Sequence, residues 1–135
     1  RLERLASSDS RIVLMGRVIG EELEQLIAHC YAMIHPSRSE GLSIAILEAM
    51  SYGRLVVMSD IPANRDLVDH SGLAYPVGSV KKLQDVLQWI ISDPVLVRLR
   101  GMRALEVVKK LYAWDKVVVR MENEYERILD RDAIV

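Results

Sequence analysis

The chain has 135 residues, half of them hydrophobic and 27% charged, with a formal net charge of −1. That length and balance fit one soluble globular domain with a moderate core and exclude a disordered chain. The near-neutral charge excludes a global basic field for nucleic acid, no apolar run approaches the ~18 residues of a membrane span, and no signal peptide is visible.

In chain order, Arg1–Ser8 reads as the tail of a helix or a linker, and the first residue is Arg1 rather than Met, which predicts a start inside a longer chain. Arg11–Val18, RIVLMGRV, is a continuous apolar run suited to a buried parallel strand. Glu21–Cys30 places Leu23, Leu26, Ile27 and Cys30 at helical spacing, with acids in the first turn. Cys30 is the single cysteine, so no intrachain disulfide forms and a reducing cytoplasm is the expected compartment. Nothing places a base beside it, which favours a buried apolar thiol over a reactive one. Tyr31–His35 is a second short strand, and Ser43–Tyr52 a helix with Gly53 placed to cap its end. Arg54–Asp60 is a third buried strand, followed by a turn and short helix over Pro62–Asp69. Leu73–Val77 is an edge strand, because Pro76 removes a ladder donor. Ser79–Ser92 is an amphipathic helix with a serine cap, Pro94 begins another running to about Leu111, and Asp115 caps a last helix through about Leu129. Tyr112 and Trp114 are expected to pack where these last helices meet the core.

Strands alternating with helices over short connections predict an α/β fold with a parallel sheet. Ligands of such sheets bind at the carboxyl ends of the strands. Three loops leave those ends: Gly16–Gly20, Pro36–Leu42 and Ser59–Asn64. The middle loop opens the stretch HPSRSEGLSIAILEAMSYG, residues 35–53, with Glu40 before a helix and Glu48 inside it. A helix N-terminus offers unpaired N–H groups and a partial positive charge to an anion. Gly41 has no Cβ to keep such a ligand away. A phosphate site flanked by two carboxylates that accept hydroxyls points to a sugar nucleotide.

The pattern P-S-x-x-E-G-(x)6-L-E-A-M-(x)2-G resembles the donor-site signature of retaining glycosyltransferases of the GT-B fold, family 4 type (group 1). The likeness extends from Arg11–Val18, as the domain's third strand, through Ser59-Asp60 and Gly72-Leu73 to the C-terminal helices. It implies a Rossmann-like parallel sheet flanked by helices, the C-terminal half of a GT-B domain and incomplete. Residues 1–135 would form one partial nucleotide-sugar-binding domain, with C-terminal helices over 94–130.

By that resemblance Glu40 contacts donor-sugar hydroxyls near the anomeric carbon and is the catalytic candidate, while Glu48 accepts the ribose hydroxyls. The backbone of Gly41, Leu42 and Ser43 meets the sugar and diphosphate, and Arg17 and Val18 lie near the base. The substrate is a nucleotide-diphosphate sugar, with no cofactor and no metal implied. Among the residues themselves, no His, Cys, Asp or Glu cluster has metal-ligand spacing. The family usually has Gly-Phe-Gly after the first Glu. Here Gly41-Leu42-Ser43 stands there, so Ser43 either crowds the ligand or serves as helix cap and phosphate donor. Asp66 is the nearest candidate for a later family Glu. The family's Arg and Lys for the diphosphate, and the N-terminal acceptor domain, are expected upstream of Arg1. The family's last segment crosses to that other domain, so apolar surface exposed there would mark a missing partner.

His29 and His70 read as structural or surface residues. Arg38 reads as a solvated loop residue, with a phosphate contact as the alternative, and His35 as a satisfied histidine at the core or rim, with a reach into the site as the alternative. The expected function is the donor-binding part of an enzyme that moves a sugar to a glycan or lipid acceptor, the isolated chain being inactive. The whole enzyme is expected in the cytoplasm, in peripheral contact with the inner face of a membrane. The alternative is a non-catalytic binding or assembly module that kept the fold. A third reading, a sugar-nucleotide epimerase or phosphorylase, is opposed by the Glu40–Glu48 pattern.

Overall fold

The computed structural model describes residues 2–132, the side chains of Asp69, His70, Arg131 and Asp132 excepted. The expectation for His70 therefore lies outside the described residues. Strands β1 (Ala32–His35), β2 (Leu55–Asp60) and β3 (Leu73–Pro76) form a parallel sheet in the order β1-β2-β3. Ala32 pairs with Leu55, and Val57 with Leu73. The middle strand carries the run LVVMSD, buried from Leu55 to Ser59, because both of its faces are covered. Pro76 ends the edge strand, where a missing N–H costs no ladder bond.

The helices are α1 (Leu2–Ala6), α2 (Glu21–His29), α3 (Ile44–Ser51), α4 (Arg65–His70), α5 (Val80–Ser92), α6 (Pro94–Val107) and α7 (Trp114–Asp132). A 3-10 turn, Pro62–Asn64, leads into α4, and α6 continues as a π-helical turn, Val108–Tyr112. The expected α/β class is present: a parallel sheet flanked by helices.

Alternation along β2 divides the core. Val56 and Met58 pack with Ile46, Ala49 and Met50 of α3, with Leu67 and with Ala104 of α6. Leu55 and Val57 pack on the other side with Leu73, Tyr75, Ile90 of α5 and Val97 of α6. Helix α6 thus serves both faces and passes beside the start of β2 between them. Gly101 sits at the crossing: a Cβ there would stand 2.1 Å from the Gly53 carbonyl oxygen. The missing Cβ of Gly101 lets these backbones touch. Gly53 also closes α3, at φ 66°, with its N–H on the Met50 carbonyl and the Arg54 N–H on the Ala49 carbonyl. The Ser79 side chain accepts from the Lys82 N–H at the start of α5, as expected, and Asp93 does the same from Leu96 for α6.

Three expectations are corrected. Arg11–Val18 is not a strand; the segment is irregular, and Ile12 to Met15 are exposed. An apolar run becomes a strand only against a ladder partner. In the order 3-2-1-4-5-6 the third strand lies two strands away from the fourth, here β1, and no described residue fills that gap. Trp114 is not packed on the core but 79% exposed, whereas Tyr112 does pack against the cluster on the α3 side. Asp115 is not the cap of the last helix; α7 begins one residue earlier and Asp115 pairs with Lys116 in its first turn.

Helix α7 is amphipathic, and its apolar face has no partner among the described residues. Trp114, Val118, Met121, Tyr125 and Ile128 recur at alternating intervals of four and three and are all exposed. Val117, Arg120, Met121, Glu124, Tyr125 and Ile128 line an open groove of ≈ 480 Å³ along it. No helix among the described residues is long and apolar enough to cross a membrane.

Candidate functional site

The site is built where β1 ends. His35 closes the strand, Pro36 fixes the exit of the chain, and residues 36–43 lead to α3. Glu40 lies on this loop and is held by side chains from its base. Ser37 Oγ donates to Glu40 Oε1 at 2.5 Å, and His35 Nε2 lies 3.0 Å from the same oxygen and 3.2 Å from Ser37 Oγ. The Ser37 bond first, and then His35, hold the Glu40 carboxyl below its ordinary range. His35 is a satisfied, part-buried histidine at the strand end, and the partners that satisfy it are Glu40 and Ser37. The sequence places it two residues before Ser37 and five before Glu40, but the contact itself depends on the turn after Pro36.

Gly41 and Leu42 are exposed on the same loop, and space is open where a Gly41 Cβ would stand. Ser43 immediately precedes α3 and is 7% exposed. Its hydroxyl makes no capping bond, contrary to one expectation for it; its carbonyl accepts the Leu47 N–H instead. The first N–H groups of α3 are consequently left without a side-chain cap, a donor set suited to an anion. Glu48 is exposed one turn into α3, on a helix whose other side carries the buried Ile46, Ala49 and Met50. The fold thus brings Glu40, Gly41, Leu42, Ser43 and Glu48 onto one loop and helix at the carboxyl end of the sheet. Arg17 and Val18 sit on the irregular segment before α2, and no hydrogen bond or ion pair joins them to that loop among the described residues.

The third loop closes the same end of the sheet. Asn64 is fully buried and donates through Nδ2 to the Ser59 carbonyl at 2.9 Å, while its Oδ1 has no partner. Ser59 Oγ lies 3.5 Å from the Tyr75 hydroxyl. Asp60 faces Arg65 at 3.7 Å, both exposed. Asp66 acts on the Tyr112 phenol, which burial and then that charge push up. No Lys or Arg pairs with Glu40 or Glu48 among the described residues. No three His, Cys, Asp or Glu side chains gather there as cation ligands. Elsewhere, Arg38 is exposed, His29 Nδ1 meets the Gln25 carbonyl at 2.9 Å, and the half-buried Cys30 thiol is pushed up by its burial.

Comparison with known proteins gives a family and a fold. The family profile described as "Glycosyl transferases group 1" matches residues 1–93. An uncharacterized glycosyltransferase of Methanocaldococcus jannaschii is 26% identical over 90% of this chain and 35% of its own length. The sulfoquinovosyl transferase of Arabidopsis thaliana is 29% identical, over 83% of this chain and 23% of its own length. Among solved structures, the sucrose-phosphate synthase of Thermosynechococcus elongatus superposes with a TM-score of 0.85 at 24% identity, over 97% of this chain and 34% of that one. The Anabaena protein HepE, solved with UDP-glucose, superposes at 0.71 with 23% identity, over 96% of this chain and 36% of that one. The chain spans between about a quarter and a third of the length of these relatives.

Proposed function

Because the chain belongs to the group 1 glycosyltransferases and carries part of the C-terminal domain of their GT-B fold, we propose that residues 35–48 bind a nucleotide-diphosphate sugar for a retaining sugar transfer. The observation that carries this reading is the uncapped start of α3 between two exposed carboxylates, at the carboxyl end of a parallel sheet. Glu40 takes hydroxyls of the donor sugar, and the α3 amides with the backbone of Gly41, Leu42 and Ser43 take the diphosphate. Glu48 takes the ribose, its two oxygens matching a vicinal pair of hydroxyls. Arg17 and Val18, on the irregular segment before α2, face the base.

The bond that breaks joins the anomeric carbon to the leaving diphosphate. Negative charge grows on that diphosphate, and amides already aimed at it stabilise it without reorganising. The cations that complete this stabilisation come from outside the described residues. The acceptor is a glycan or lipid held by another domain, and the apolar face of α7 is where that domain is met. The lone thiol fits a cytoplasmic enzyme.

Calorimetric titration of UDP, GDP and ADP into the full-length protein, with Glu48→Ala as control, tests the reading. UDP is the first choice because HepE was solved with a UDP sugar. Binding that weakens in Glu48→Ala supports the donor site. The absence of binding by all three nucleotides at millimolar concentration refutes it. A second reading, a non-catalytic module that kept the fold, draws on Ser43 standing where the family has glycine. Donor binding without any turnover of the nucleotide sugar by the full-length protein would select it.

A further inference from the structure

The cluster around Glu40 has a proton arithmetic. Ser37 carries one hydroxyl proton and gives it to Glu40 Oε1. Its oxygen is then an acceptor toward His35 Nε2, 3.2 Å away, and so is Glu40 Oε1 at 3.0 Å. One proton on Nε2, shared between the two oxygens, serves both contacts, which makes the ring the Nε2–H tautomer or the imidazolium. Glu40 Oε1 therefore receives two bonds, while Oε2 receives none among the described residues.

From this geometry we infer that His35 and Ser37 are positioning residues: they lock one oxygen of Glu40 and leave the other open to donor-sugar hydroxyls. The inference rests on the donor-site reading of Glu40 and deepens it. Three rotatable bonds separate a glutamate carboxylate from its backbone, and ordering them on binding costs affinity. His35 supplies the missing rigidity. It is the last residue of β1, in register with Met58 of the central strand, and its side chain is only 16% exposed. A loop acid is thereby tied to the sheet.

The groups that act on the Glu40 carboxylate are Ser37 and His35 themselves, and both favour its charged form. Removing either must move its titration upward. A side chain that merely held the loop would change binding without moving that titration.

The test uses the full-length protein as wild type, Ser37→Ala, His35→Ala and Ser37→Thr. The Glu40 carboxyl is titrated by 13C NMR, assigned with Glu40→Gln, and kcat/KM for the donor is followed against pH. Both alanine variants are expected to raise the Glu40 titration and the acid limb of the profile. They should also lower kcat/KM by roughly threefold to tenfold, and Ser37→Thr should restore both readouts by keeping the hydroxyl. A Glu40 titration unmoved in both alanine variants overturns the inference, including the case where kcat/KM falls equally at every pH. A wild type that neither binds nor turns over any nucleotide sugar removes the donor reading and with it the role of Oε2, and the titration then still decides whether the lock exists.

Discussion

Gly101→Ala gives the sharpest test of the packing. The added Cβ would stand 2.1 Å from the Gly53 carbonyl oxygen, 3.0 Å from its carbon and 3.5 Å from the Leu55 nitrogen. Ordinary carbon contacts lie near about 3.5–4.0 Å, so α6 must retreat by more than about 1 Å. All three obstacles are backbone atoms, and no rotamer change relieves them. Retreat is resisted at both ends, because Val97 and Ala104, 8% and 1% exposed, are seated in the two halves of the core. Overpacking of this kind costs about 1–3 kcal/mol, against the ~1 kcal/mol that alanine gains over glycine in a helix interior. Because every obstacle is backbone, the cost falls at the top of that range, and the expected outcome is a net destabilisation of about 2 kcal/mol, read by urea unfolding under circular dichroism, with Tm lowered by roughly 6–10 °C. Gly41→Ala is the control, since nothing lies within 4 Å of its Cβ position and its stability should be unchanged. A Gly101→Ala protein as stable as wild type, or more so, refutes the reasoning.

Glu48→Ala should leave stability within about 0.5 kcal/mol, as for an exposed helix position, while nucleotide affinity falls roughly tenfold to a hundredfold; calorimetry and a melting curve separate the two effects. Asn64→Ala removes one of two bonds to the Ser59 carbonyl, the Ile61 N–H at 3.0 Å remaining, so unfolding should become easier by about 0.5–1.5 kcal/mol. For Ser37→Ala the pH dependence has a definite sign. The Glu40 carboxyl is depressed in the folded protein, so its contribution is present in full above its unfolded pKa, near about 4.3, and is lost as pH falls through the lower folded value. The stability gap between wild type and Ser37→Ala, followed by urea unfolding against pH, should narrow on acidification; a gap that widens contradicts the assignment.

The sheet and its flanking helices were legible because their signals are local. Arg54–Asp60 is apolar on both faces, Pro76 marks the edge, and Gly53 ends α3 with the left-handed turn its position called for. Arg11–Val18 was misread because composition reports what a segment would bury, not whether a ladder partner stands beside it. Trp114 failed for the same reason, since an aromatic residue signals burial only when something arrives to cover it. In the site, Glu40 and Glu48 could be placed on loop and helix from their spacing. The bond from His35 to Glu40 could not, because it depends on how the chain turns after Pro36.

The two carboxylates are mounted differently. Glu48 rides on α3, whose Ile46, Ala49 and Met50 are embedded in the core, so moving it means moving the fold. Glu40 is fastened by side chains alone, at the tip of an exposed loop. On the donor-site reading, the nucleotide end of the pocket is inherited with the scaffold, while the sugar end can be rewritten by a few loop substitutions at little cost to folding. Selection for a new sugar would then act first on residues 36–42 and leave α3 alone. A lineage could diversify its donors without renegotiating its core.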